Sequence, residues 1–482
     1  MSIEQSNLSR RAFFRKSSGL AAAAFAGGSL VTSEDIEAAT NNVNTNSQPS
    51  DLRITDIKIG TIRSSVIKIE TNQGIAGYGE GTGPNGTFVL NFKGDLVGQN
   101  PCSVEMLYKK IKRFGDHNRT GISGLEMALW DIAGKAWGVP VYQMLGGKYR
   151  DWVLMYADTP SVADPAQMGE RLKGRIAMGY KFLKMDMGIT QIAGIANTIT
   201  APPGVSISNW SGNTPHPLTG MRVTEKGLNI MKEYAQTVRD TVGWEVPLAA
   251  DHFGHFMVED AIKIGLALDP YNFAWYEDMV PFIYPDALKQ ISDAVKTPLL
   301  VGETMFSAEA HRELFEKRAI AMCHPDIIFC GGCLEMKKIL DLAEQYGIAA
   351  AVHMNNGPVA MFASIHAVAA ANNFLCMEFH DSDRMDQYCS LIDVDGLEKP
   401  FIQEGYVAVP NGPGFGFELN EEAIRQYHRI GPDREIFTDP TNPGTGPGFQ
   451  RGGRMRNRGM TSGRLWSMQT DSKKMKNSTT KS

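Results

Sequence analysis

Three acidic residues near the middle of the chain share one spacing. Glu277 lies 26 residues after Asp251, Glu303 lies 26 residues after Glu277, and each of the three closes a short apolar run. Amphipathic sequence fills both gaps, so each step predicts a strand, a helix and the next strand. Strands of a (β/α)₈ barrel are parallel and open on one face at their carboxyl ends. Three carboxylates there would repel one another, which a cation with oxygen ligands such as Mg²⁺ relieves.

The same step continues beyond Glu303. Asp326 follows after 23 residues, His353 after 27 more and Glu378 after a further 25, each within or at the end of an apolar run. A single residue of this kind is usually a solvated loop side chain. Six in a regular step favour one shared site at the carboxyl ends of barrel strands.

Elements ahead of these residues complete the predicted architecture. Alternating apolar residues over 54–80 predict strands joined by a hairpin, and a helical period follows over 104–138. Residues 52–150 are therefore expected to form an α+β domain. Residues 151–390 are expected to form the barrel, with its first strands at 152–157 and 180–186. The Gly-, Pro- and Asn-rich insertion at about 189–222 follows a strand end and should overhang the site, unless it is a decoration without a role.

Bulk composition excludes several classes of protein. The chain has 482 residues, 43% of them hydrophobic and 21% charged, as in ordinary globular proteins. The net charge is −5 although residues 451–482 are strongly basic, so an acidic body argues against nucleic acid as a partner. Six cysteines are too few for a disulfide scaffold, and Cys330 and Cys333 alone are weak evidence for a metal pair.

The two ends of the chain are predicted to lie outside the folded body. Arg10 and Arg11 precede a weakly apolar run, which is typical of a twin-arginine signal over residues 1–39 with a linker at 40–51. This run is shorter than the roughly 20 residues of a membrane span. We expect a periplasmic or secreted protein with no membrane segment in its mature form. A disordered basic N-terminus is the alternative, and residues 431–482 are expected to be a disordered basic tail.

Two segments resemble a known family. Residues 123–135 (SGLEMALWDIAGK) and 138–147 (GVPVYQMLGG) resemble a signature of the mandelate racemase branch of the enolase superfamily, and the resemblance covers roughly residues 52–430. It implies an α/β fold, a (β/α)₈-type modified TIM barrel, with an N-terminal α+β capping domain completed by the C-terminal segment at 391–430. It also implies a homo-oligomer of unspecified size.

The resemblance implies a chemistry for the spaced residues. Family members remove a proton next to a carboxylate, and a divalent metal stabilises the enediolate. It assigns Asp251, Glu277 and Glu303 as metal ligands, the three residues that the spacing also selects. His353 would be the base, with Asp326 orienting its ring. Protonated Glu378 would donate a hydrogen bond to the substrate carboxylate, which requires a raised pKa.

The second strand departs from the family pattern. Many members carry Lys-x-Lys there, whereas this chain has Lys184-Met185-Asp186. Loss of the second lysine weighs against racemisation, which needs a base on each face, and favours an elimination with one base. Lys184 would either hold the substrate carboxylate or pair with a ligand carboxylate.

The third strand departs as well. Relatives that dehydrate galactonate or mannonate place a histidine two residues after the ligand, where this chain has Phe253. Strand alternation points His252 away from Asp251, so we expect His252 between strand and helix unless the strand end is bulged. His255 on the following loop is the leading candidate for the acid that protonates the leaving hydroxyl, with His252 as the alternative.

These features favour an Mg²⁺-dependent dehydratase of a small-molecule sugar acid, giving a 2-keto-3-deoxy acid. A cycloisomerase or epimerase using the same enediolate is the first alternative. A non-catalytic sugar-acid binding protein is the second. The sequence does not select one sugar acid.

Overall fold

The computed structural model describes residues 48–83, 86–113, 119–201 and 221–441. The predicted export signal, residues 40–47 of the linker, residues 202–220 of the insertion and residues 442–482 of the tail lie outside this part. No helix within it is both long and apolar enough to span a bilayer.

Eight parallel strands close into a barrel, because the eighth strand pairs with the first. The strands, numbered here as barrel strands one to eight, are Trp152–Thr159, Leu183–Asp186, Leu248–Asp251, Tyr276–Glu277, Leu299–Val301, Met322–Cys323, Ala349–Val352 and Phe374–Phe379. Nearly all their residues are buried, as expected for strands covered by helices on the outside.

Helices follow the strands and cover the barrel. They are Pro165–Ala177, Glu225–Val242, Val258–Leu268, Pro285–Ala294, Ser307–Glu316, Cys333–Gln345, Pro358–Ala369 and Met385–Ser390, with a short helix Ile327–Cys330 after the sixth strand. Local sequence sets their ends. Asp164 caps the first of them by accepting a hydrogen bond from Ala166, and Thr224 caps the second. The six cysteines are free thiols and five of them are buried.

A three-stranded antiparallel sheet forms the capping domain with the helices after it. Its strands are Ile54–Thr61, Ser65–Thr71 and Ala76–Glu80, and its helices are Lys93–Leu96, Val104–Lys112, Arg119–Trp137 and Val141–Met144. The helix Arg119–Trp137 lies directly on the sheet. A Cβ atom at Gly79 would lie 1.8 Å from the carbonyl oxygen of Gly124, so this close packing requires a glycine.

The C-terminal segment returns to the capping domain. Strands Ile392–Val394 and Phe417–Leu419 pair with each other, Tyr406–Ala408 pairs with the first barrel strand, and helix Glu421–His428 follows. Ile59 and Thr438 then exchange backbone hydrogen bonds of 2.9 Å, so the ordered chain continues to residue 441, beyond residue 431 where the disordered tail was predicted to begin. The predicted fold class, a modified TIM barrel with a capping domain completed by the chain's end, is confirmed.

Candidate active site

The barrel interior is built in layers with a period of two residues. The apolar layer is a buried cluster with one residue from each strand or from the position just before it: Tyr156, Phe182, Ala249, Trp275, Leu300, Met322, Ala351 and Cys376. Two residues further along every strand the side chains point inward again. These positions hold Asp158, Lys184, Asp251, Glu277, Gly302, His324, His353 and Glu378. One apolar floor therefore carries a ring of ionisable side chains.

Lys184 lies at the centre of this ring. Its Nζ is 3.0 Å from Oδ2 of Asp251, 3.1 Å from Oε1 of Glu277 and 2.5 Å from Oε1 of Glu378. Burial alone would lower the pKa of Lys184, but Asp251, Glu277 and Glu378 raise it well above its usual value. Of the two roles expected for this lysine, the structure shows the ion pair with predicted ligand carboxylates, those of Asp251 and Glu277.

The three predicted metal ligands do not fall in one group: oxygens of Glu277 and Glu303 lie together with His324, whereas Asp251 groups with Asp186 and His252. Asp251 and Glu277 share the Lys184 ammonium, while oxygens of Glu277 and Glu303 lie within 4.8 Å of each other. Gly302, whose φ is +131°, occupies the inward position of the fifth strand, and Glu303 is the next residue. Burial, followed by Glu303, Asp251 and Glu277, raises the pKa of the adjacent Asp278 well above its usual value.

The chemistry of these donors suits a hard divalent cation. All the predicted ligand atoms are carboxylate oxygens, which Mg²⁺ prefers. The raised pKa of Asp278 reflects burial and the excess negative charge of these carboxylates. A cation bound here would relieve that charge, as Lys184 does in part.

His353 directly follows the seventh strand and forms a dyad with Asp326. Its Nδ1 lies 2.6 Å from Oδ2 of Asp326, and its Nε2 lies 3.2 Å from Oε2 of Glu303. Asp326 is held by the backbone N–H of Ile328 at 2.7 Å and by the side-chain amide of Asn356 at 2.8 Å. This geometry fixes the ring and directs Nε2 toward the acids.

The charge on the His353 ring depends on its neighbours. Burial alone would lower the pKa of His353, but Glu378, Glu303 and Asp326 outweigh it and raise the pKa to about 10. The ring is therefore protonated at neutral pH as long as these carboxylates are not neutralised by another cation.

Glu378 is ionised, contrary to the expectation of a protonated acid. Burial would raise its pKa, but Lys184, His380 and His353 hold it well below the usual range. The expectation failed because it considered burial without the three cationic partners that the fold supplies.

His252 lies on the rim and not between strand and helix, so the alternation argument was wrong at this position. The third strand ends at Asp251, and His252 adopts a left-handed backbone conformation with φ of +71°. Its Nε2 consequently lies 3.2 Å from Oδ1 of Asp186. Phe253 points into the core and packs edge-on against Tyr276. Burial would lower the pKa of His252, but Asp251 and Asp186 raise it to about 10.

His255 lies on the loop after this turn. Burial, followed by the charge of His252, lowers the pKa of His255 to about 4, so the ring is neutral at neutral pH. No hydrogen bond or ion pair of its ring is found within the described residues. Its role as the acid stays a prediction.

Three ionisable residues of the site were missed by the sequence analysis: two members of the ring, Asp158 and His324, and His380 beyond it. Asp158 lies on the first strand, His324 follows the sixth, and His380 follows the eighth. His324 Nε2 lies 3.1 Å from Oε1 of Glu277. All three could have been found by counting two residues from another inward position: Asp158 from Tyr156, His324 from Met322, and His380 from Glu378.

Comparisons with known proteins agree with this fold. The family model described as enolase C-terminal domain-like matches residues 167–423. That of the mandelate racemase / muconate lactonizing enzyme N-terminal domain matches residues 35–146. A D-xylonate dehydratase of Haloferax volcanii is 30% identical over 415 residues, covering 82% of this chain and 94% of the relative. A D-mannonate dehydratase of Novosphingobium aromaticivorans is 27% identical, covering 75% and 90%.

Solved structures extend the similarity. A mandelate racemase/muconate lactonizing enzyme-like protein from Rubrobacter xylanophilus has a TM-score of 0.68 and 30% identity, covering 78% of this chain and 97% of that one. The 3,6-anhydro-D-galactonate cycloisomerase of Zobellia galactanivorans has a TM-score of 0.63 at 22% identity, covering 78% and 99%, and supports the fold alone.

Proposed function

Since the chain belongs to the enolase superfamily, in its mandelate racemase branch, we propose that it is a hydro-lyase that dehydrates a sugar acid to a 2-keto-3-deoxy acid with the help of Mg²⁺. The similarity to sugar-acid dehydratases supports the general reaction. The observation that carries the proposal is the His353–Asp326 dyad, whose Nε2 lies 3.2 Å from a predicted metal ligand.

Asp251, Glu277 and Glu303 would hold the cation. When bound, a divalent cation acts as a Lewis acid on the substrate carboxylate and makes the neighbouring proton more acidic. Lys184 balances the charge of the buried acids around it, which keeps them ionised for the cation.

His353 takes the α-proton onto Nε2. A base must be neutral before it accepts a proton, so the raised pKa of His353 has to fall. Glu303 contributes to that raised pKa, and neutralising the Glu303 charge moves the pKa toward neutrality. Asp326 holds the ring in place and stabilises the imidazolium that forms.

The second strand supplies no second base of the family type. Asp186 stands at that position and binds His252. This arrangement supports elimination over racemisation. A further histidine of the rim would protonate the leaving hydroxyl, and the candidates from sequence are His255 and His252.

An aldonate panel tests the proposed reaction. D-xylonate, D-mannonate and D-galactonate are incubated with the Mg²⁺-loaded protein, and 2-keto-3-deoxy acid is quantified. We expect product from at least one aldonate and none from His353→Asn, whose Mg²⁺ binding should be unchanged. Full turnover by His353→Asn would refute the mechanism. Exchange of the α-proton in D₂O without water loss would favour an epimerase or cycloisomerase, and tight binding without exchange would favour a binding protein.

We further propose export through the twin-arginine route and assembly into a homo-oligomer. Export is supported by the paired Arg10 and Arg11. A mature protein that begins near residue 40 in the exported fraction is the expected result, and an uncleaved cytoplasmic chain would contradict it. Light scattering of the purified protein measures the oligomer, and a monomer would refute that part.

A further inference from the structure

His380 is a second imidazole on the carboxylate that contacts the proposed base. Its Nε2 lies 3.3 Å from Oε1 of Glu378, while Nε2 of His353 lies 3.5 Å from Oε2 of the same residue. The centroids of the two rings are 6.1 Å apart. Glu378 therefore has one imidazole on each of its oxygens.

Asp158 gives His380 a dyad of its own. Oδ2 of Asp158 lies 3.0 Å from Nδ1 of His380, and the Asp158 side chain is 3% exposed. The segment that follows His380 is also fixed, because Nε of Arg63 from the capping domain lies 2.5 Å from Oδ2 of Asp381. Burial alone would lower the pKa of His380, but Asp158 and Glu378 raise it well above its usual value. The ring is therefore held in place and carries a proton at neutral pH.

We propose that His380 is the acid that protonates the hydroxyl group leaving from carbon 3 of the sugar acid, an assignment that rests on the proposed dehydration. His353 takes the proton from carbon 2, and the electrons of that C–H bond form the C2–C3 double bond. The C3–O bond breaks, and the oxygen takes its electron pair and the Nε2 proton of His380 to leave as water. Tautomerisation of the enol moves the proton on His353 to carbon 3, and the proton released from the enol hydroxyl restores His380.

The spacing of the two imidazoles suits neighbouring carbons. A reacting atom lies about 3–3.5 Å from the group that acts on it. Carbons 2 and 3 are bonded to each other, so a base and an acid that act on them must be close. One nitrogen each of His353 and His380 and one oxygen of Glu378 all lie within 4.8 Å of one another.

The two candidates from sequence fit this role less well. His252 contacts Asp186 and the predicted metal ligand Asp251, whereas His380 shares Glu378 with the proposed base. His255 is neutral at neutral pH, because burial and the charge of His252 lower its pKa to about 4. An acid must carry a proton when the reaction begins.

The test separates loss of the acid from loss of the base. His380→Gln and Asp158→Asn are compared with wild type and with His428→Gln, whose ring binds the carbonyl of Ile62 in the capping domain. Three rates are measured with the best aldonate of the panel: water loss, exchange of the α-proton in D₂O, and fluoride loss from the 3-deoxy-3-fluoro analogue. Fluoride leaves as an anion and needs no proton.

We expect His380→Gln to lower water loss about 10²–10⁴-fold, while α-proton exchange and fluoride loss stay close to wild type. Asp158→Asn should show a smaller loss in the same pattern, and His428→Gln none. Wild-type water loss by His380→Gln, or an equal fall in all three rates, would overturn the assignment of His380 and leave the dehydration intact. Absence of both water loss and exchange in the wild-type protein would instead overturn the proposed function, and the assignment with it.

Discussion

Replacing Lys184 by methionine tests whether the ring of acids is a site that requires a cation. Lys184 is 2% exposed, and its ammonium lies within 3.1 Å of three buried carboxylates. Methionine fills a similar volume without the charge. Removing one partner of a buried ion pair costs about 3–5 kcal/mol, because the remaining charge is left without compensation.

The expected effect on thermal unfolding follows from the size of the chain. With an unfolding entropy of about 2 cal/mol/K per residue, a loss of about 1 kcal/mol lowers the Tm of a protein this large by roughly 1 °C. The Mg²⁺-free Lys184→Met variant should therefore unfold roughly 3–5 °C below wild type. Added Mg²⁺ should raise the Tm of the variant more than that of wild type, because the site has lost its own cation. A bound ligand at 100 times its Kd adds about 2.7 kcal/mol of stability.

Calorimetry with and without Mg²⁺ measures both effects. Lys181→Met is the matched control, since Lys181 is an exposed lysine three residues away, and it should change the Tm little. The reasoning is refuted if Lys184→Met has the same Tm as wild type in the absence of Mg²⁺, or if Mg²⁺ leaves the Tm of the variant unchanged.

Three further predictions concern the dyad, the capping domain and acid stability. Asp326→Asn should lower kcat about 10²–10⁴-fold with intact folding, because the ring of His353 loses the carboxylate that orients it; steady-state kinetics checks this, and an unchanged kcat contradicts it. Gly79→Ala should destabilise the protein, since the added Cβ would lie 1.8 Å from the carbonyl oxygen of Gly124, and a denaturant midpoint equal to wild type would contradict this. Burial lowers the pKa of His366 to about 4, so stability that is complete above the unfolded pKa of about 6.5 should fall as pH drops toward 4, by on the order of 3 kcal/mol. In His366→Asn the slope of the unfolding free energy against pH should decrease by the equivalent of about one proton, and an unchanged slope would contradict this role of His366.

The regular spacing of acids predicted the barrel because strand and helix lengths repeat. Asp251, Glu277 and Glu378 lie at strand ends, and Asp326 and His353 form the expected dyad. These positions follow from local pattern, since a residue that closes an apolar run in a parallel barrel must lie at its open face.

The predictions that failed concerned features that depend on contacts between distant strands or on one backbone angle. The left-handed φ of His252 reverses the direction expected from alternation, and no residue type in the run announces that conformation. Glu378 is ionised because three cationic side chains surround it, which no single stretch of sequence reveals. His380 was missed although it stands two residues after Glu378, because the apolar run had already ended.

The central claim is that a cation on Asp251, Glu277 and Glu303 places the α-proton of a sugar acid within reach of His353. Its most direct test is exchange of that proton in D₂O, followed by NMR, for wild type, His353→Asn and Glu277→Gln with Mg²⁺ present. The account predicts rapid exchange in wild type and none in either variant, with Mg²⁺ binding kept by His353→Asn and lost by Glu277→Gln. Exchange at the wild-type rate in His353→Asn, or in Glu277→Gln without bound Mg²⁺, would contradict it.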